Sequence, residues 1–168
     1  MKNNRSRGFT LQNFSRKNLG GFTALELLMV IAILGILSAI ILTPFKAFRN
    51  SKVLDTASEE TLALLSEARG DTLSGKGGYQ YGVHFEASQI VLYRGATYSA
   101  GDANNKAVVL DNALEVSSIA LAGGGADVLF DRLTGKTAQN GTAVIRVKSD
   151  TSKVRTITIE KTGVASGS

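Results

Sequence analysis

Hydrophobic and polar positions follow three successive patterns along this chain. From Leu27 to Leu42 the residues are almost unbroken apolar, LLMVIAILGILSAIIL. As a helix, the 21 residues Phe22 to Leu42 would extend about 32 Å at ~1.5 Å per residue, against about 30 Å for the hydrocarbon of a bilayer. A single membrane crossing is therefore predicted, with Pro44 placed to end or kink it. From Phe45 to Leu73 the pattern becomes helical and mixed. Leu54, Ala57, Thr61, Leu65 and Ala68 make one stripe, while Lys52, Asp55, Glu59, Glu60, Glu67 and Arg69 lie mostly off it. That spacing predicts an amphipathic helix packed on a sheet, with Glu59-Glu60 on its solvated face. Gly70, Gly75, Gly77 and Gly78 then break it.

Beyond Gly70 short β-branched and aromatic runs alternate with Gly, Asn, Asp and Ser. They predict strands at 79–86, 89–94, 107–110, 114–121, 128–133, 142–148 and 154–161. In the first, Tyr79, Tyr81, Val83 and Phe85 share a face and His84 lies opposite. Asn140-Gly141 signals a turn, Asp150-Thr151-Ser152 predicts the last hairpin turn, and Val164–Ser168 reads as a loose tail. The expected fold class is α+β: a long N-terminal helix, membrane half plus amphipathic half, packed on a C-terminal antiparallel β-sheet domain. The segments are a basic leader (1–21), an apolar helix (22–44), its amphipathic continuation (45–73) and a β-rich domain (74–168).

Charge sharpens the N-terminal picture. The chain carries 19 basic and 14 acidic side chains, net +5. Lys2, Arg5, Arg7, Arg16 and Lys17, with no acid among them before Phe22, account for the whole excess. The remainder is formally neutral, so the basic isoelectric point is no argument for nucleic-acid binding. The leader charge suits a cytoplasmic N-terminus. Glu26 is the anomaly, since an ionised carboxylate within a bilayer costs about 2.5–3.5 kcal/mol. Either it lies solvated at the membrane face, or it needs a cation. An amine freed at Phe22 would supply one, at i,i+4 within a helix or from a neighbouring chain.

Gly21-Phe22-Thr23, the glutamate five residues after the glycine, and the apolar run that follows resemble the prepilin signature of type IV pilins and type II secretion pseudopilins. The resemblance covers roughly residues 16–45. It implies cleavage between Gly21 and Phe22 by a prepilin peptidase, N-methylation of Phe22, and pairing of Glu26 with a neighbour's N-terminus during assembly. It further implies other pilin or pseudopilin subunits, an inner-membrane assembly platform and membrane lipid as partners. The expected location is the inner membrane, single-pass, and then a periplasmic or extracellular filament. The family's usual proline falls one residue before Pro44. Gly8-Phe9-Thr10 echoes the site, but Asn13 stands where the glutamate belongs. A secretory signal cleaved near Ser38-Ala39-Ile40 is the poorer alternative, the apolar run being long for one. A second likeness, to GspH/FimT-like minor pilins, rests on Leu129-Phe130-Asp131-Arg132-Leu133-Thr134-Gly135, Ile157-Thr158-Ile159 and Thr162-Gly163-Val164.

Candidate chemistry is sparse. With no cysteine and one histidine, neither a disulfide nor a zinc site is expected, and no nucleophile elbow occurs. Asp102, Asn104 and Asn105 begin no EF-hand, because its twelfth position is Ala113. No catalytic, metal or cofactor site is assigned, and the expected role is structural rather than enzymatic. Arg146, Lys148, Lys153, Arg155 and Lys161 cluster near the last hairpin. Their ordinary reading is a solvated strand face, and the alternative is a DNA contact of a minor pilin acting at a filament tip.

Overall fold

A computed structural model describes residues 20–168, other than the side chains of 40–44 and 47. The leader expected at 1–21 thus lies largely outside the described residues, as does the side chain of Pro44, whose backbone is part of the continuous helix. The chain divides into two compact units, Met1–Ile41 and Leu42–Ser168. Helix α1 (Ala24–Leu73) is described in two main stretches, 24–39 and 48–73.

The first stretch corrects the expected membrane half. Among the described residues no helix is long and apolar enough to cross a membrane, so the single-pass inner-membrane placement is withdrawn.

The fold class is corrected as well. The second unit is mostly β and holds two sheets rather than one, each antiparallel and four-stranded. Sheet A comprises β1 (Tyr81–Phe85), β2 (Gln89–Arg94), β3 (Lys106–Val109) and β5 (Asp127–Leu129), in the order β3-β2-β1-β5. Sheet B comprises β4 (Leu114–Leu121), β6 (Gly141–Val147), β7 (Asp150–Ile159) and β8 (Ala165–Gly167), in the order β4-β6-β7-β8. Seven of these strands fall on or near the expected runs. The eighth, β8, occupies the supposed tail. Ala165, Ser166 and Gly167 are poor strand formers, but they pair with Ile159, Thr158 and Ile157. The last hairpin turns at Lys148-Ser149, and Asp150–Ser152 belong to β7.

One core joins the helical stretch 48–73 to both sheets. The predicted stripe is buried at Leu54, Ala57, Thr61, Leu65 and Ala68, with Leu64 added. Against it lie Tyr81, Val83, Phe85, Ile90, Leu92 and Val128 of sheet A and Leu114, Ala143, Ile145, Val147, Ile157 and Ile159 of sheet B. Tyr79, expected on the same face, is exposed outside β1. The buried hydroxyls are satisfied locally: Thr61 donates to the Ala57 carbonyl at 2.7 Å and Thr72 to that of Ala68 at 2.8 Å. The Thr72 hydroxyl also accepts the Tyr81 amide at 2.9 Å, tying the helix end to the start of β1. Glu59 and Glu60 are exposed, as expected of a solvated face.

The return from β7 to β8 depends on Gly163, at φ 79°, where a Cβ would overlap the Gly135 carbonyl oxygen. Gly163→Ala is expected to destabilise the full chain by about 1–3 kcal/mol. Leu65→Ala, at a fully buried site, should cost about 2–5 kcal/mol. Denaturant unfolding followed by circular dichroism measures both. Unfolding midpoints equal to the parent's would contradict this packing.

Candidate functional site

Three places gather chemistry. The first is the start of α1. Gly21, Phe22 and Thr23 precede the helix, and the Thr23 hydroxyl accepts the Glu26 amide at 3.2 Å. Thr23 is therefore the N-cap and Glu26 the N3 residue, the spacing of a capping box, and a carboxylate on the first turn is favoured by the helix dipole. This local role for Glu26 was readable in Thr-x-x-Glu and was missed. Phe22 lies outside the helix, so the i,i+4 helical pairing expected within one chain does not apply to this form. All described side chains from Phe22 to Ala39 are exposed, including Phe22 at 83% and Leu25 at 70%.

The second place is the basic group near the β6–β7 hairpin, which the structure divides. Arg146 pairs across the strands with Glu115 of β4 at 2.6 Å. Arg155 reaches Asp55 of α1 at 2.6 Å. Lys153 donates to the Ser51 hydroxyl at 3.0 Å, and Lys148 to the Asn112 carbonyl at 3.1 Å. Lys161 is exposed in the turn after β7. Because strand residues alternate faces, Arg146 stands on one face of sheet B, and Lys153 and Arg155 on the helix side. Four of the five cations are thus engaged by the protein's own groups and do not form one continuous patch.

The third place is the outer face of sheet A. In one row across the sheet, His84 lies between Val91 and Asp127, and in the next Gly82 lies between Tyr93 and Leu129. His84 Nδ1 is 2.9 Å from Asp127 Oδ1. The loop after β2 brings back Tyr98, whose ring stacks on His84 at 4.0 Å and 12° and meets Tyr93 edge-on at 5.6 Å. The Tyr98 hydroxyl donates to Glu86 Oε1 at 2.8 Å and the Gln89 amide to Glu86 Oε2 at 2.7 Å. Those two bonds, Tyr98's first, hold the Glu86 carboxyl below its ordinary pKa. Burial, then the Asp127 carboxylate, pushes the Tyr93 phenol well above its usual range, so it stays protonated.

Sequence reading placed His84 opposite the aromatic face but assigned it no role, and it passed over Glu86, Tyr93, Tyr98 and Asp127. The available signal was Gly82, a glycine inside a strand. A Cβ there would stand 2.6 Å from Tyr93 Cζ and Oη, so the glycine exists for the tyrosine. In the loop that begins no EF-hand, Asp102 Oδ1 is taken by the Asn104 amide and side chain. Among the described residues no group of three or more His, Asp or Glu is placed to hold a metal ion.

Because the folded-state pKa of Glu86 lies below its unfolded value, its contribution to stability is present above the ordinary carboxylate range and lost as pH falls through the lowered pKa. Tyr98→Phe removes the leading cause, so the Glu86 midpoint should rise. A carboxyl NMR titration of parent and variant checks this, and an unmoved midpoint would contradict the assigned hydrogen bond.

No protein-family model, no curated protein and no solved structure matches this chain.

Proposed function

We propose that this chain is a structural subunit, cut after Gly21 by a prepilin peptidase and assembled with its own kind into a filament of the type IV pilus or type II secretion pseudopilus class. One observation carries this reading. From Ala24 to Ala39 the helix is apolar on all sides but for Glu26 and Ser38, and its described side chains are exposed. A helix that is apolar all round requires apolar neighbours all round. A bundle of identical helices supplies them. Burying one Leu or Ile side chain is worth about 1.5–3 kcal/mol, so several per subunit offset an association cost of about 4–15 kcal/mol.

Cleavage then removes the basic leader, which as a set of five like charges would oppose close packing. It leaves an amine at Phe22 that a neighbour's Glu26 can neutralise inside the bundle. The Thr23 cap fixes Glu26 on the first helical turn, next to that amine's level in a staggered neighbour.

Nothing lies within 4 Å of a Cβ added at Gly21, so Gly21→Val is expected to fold normally and to persist at precursor mass in intact mass spectrometry. Conversion to the mature mass would refute the cleavage site. Glu26→Gln keeps the capping geometry and removes the charge. It should be processed normally yet yield at least about tenfold fewer sheared filaments. Parent-level filaments from Glu26→Gln would reduce Glu26 to a helix cap and end the pairing model.

A further inference from the structure

We propose that the outer face of sheet A binds a small organic cation, a primary or quaternary amine, in the cavity between Tyr93, Tyr98 and Asp127. The cavity has a volume of about 210 Å³ and is also lined by Thr97, Leu129 and Gln139. It is smaller than the ~300–1,000 Å³ of drug-sized pockets, which suits a headgroup.

The cluster lies outside the main core, although its Tyr93 ring is itself buried. Core side chains of β1, β2 and β5 are Tyr81, Val83, Phe85, Ile90, Leu92 and Val128, all on the opposite face. Gly82 weakens its strand relative to alanine. In return the Tyr93 ring crosses β1, and its hydroxyl meets Asp127 on the neighbouring strand.

Charge and ring chemistry select the ligand. Among the described residues lining the cavity, Asp127 alone is formally charged. Glu86 adds a second carboxylate behind Tyr98, and the phenol that donates to it gains electron density in its ring. A cation beside an electron-rich ring and a carboxylate gains from both, whereas an anion is repelled by both acids. A neutral polyol fits less well. Asp127 already contacts His84 Nδ1 at 2.9 Å, so its charge is offered to a ligand more freely than its directed lone pairs.

The experiment uses the full chain, with tetramethylammonium chloride as probe and methyl glucoside and sodium phosphate as comparisons. The chain has no tryptophan and four tyrosines, so tyrosine fluorescence and ring NMR shifts report the site. Saturable tetramethylammonium binding that shifts Tyr93 and Tyr98 is expected, weakened by about tenfold or more in Asp127→Asn. Thr97→Lys leaves every contact of the cluster in place and puts a cation at the rim. It should abolish binding even if Asp127→Asn perturbs the fold. Absence of saturable binding, tighter binding of the glucoside or phosphate, or parent affinity in Thr97→Lys would each overturn the proposal.

Discussion

The second unit depends on one narrow stripe of small and medium side chains on α1. Leu54, Ala57, Thr61, Leu65 and Ala68 alternate bulky with compact residues, and this lets two sheets approach a single helix at once. Ala57, Ala68 and the self-satisfied Thr61 and Thr72 keep the surface shallow. Phe85, Phe130 and the isoleucines of sheet B fill the space left over. With no cysteine in the chain, this burial is what stands against the conformational entropy of ordering some hundred residues. Ion pairs from Asp55 to Arg155 and from Glu67 to Lys106 fasten the stripe's edges to the two sheets. Being partly exposed, they fix register more than they add stability.

Once the inner faces are committed, the outer faces are free to differ. Sheet B sets Arg146 against Glu115 on a cross-strand pair, an arrangement that neutralises charge. Sheet A carries tyrosines, a histidine and two carboxylates held by mutual hydrogen bonds. The chain thus places its structured polar chemistry on the face that the core does not use. Of this group His84 and Tyr93 stand on the central strands β1 and β2, a more rigid support than a loop.

The N-terminal stretch obeys a different constraint. A helix with apolar residues all round has no solvated face, so its surroundings must be apolar whatever they are. Thr23 and Glu26 set where that helix begins, and the carboxylate is tolerated there because the first turn leaves amides unpaired and a positive dipole end exposed.

By itself the sequence determined the apolar run, the buried stripe and nearly all of the strands, because each is a periodicity of local origin: 3.6 residues for the helix and 2 for the strands. Gly21, Phe22 and Glu26 stood out because they are close together in the chain. Only the tertiary structure decided that there are two sheets, since strand order depends on pairings between distant segments. It alone recruited Ala165–Gly167 as a strand, where a neighbour's edge outweighs weak propensity. It separated Arg146 from Lys153 and Arg155 by the alternation of faces. And it brought His84, Glu86, Tyr93, Tyr98 and Asp127 together from segments up to 43 residues apart, through register and a missing Cβ at Gly82 that no local pattern encodes.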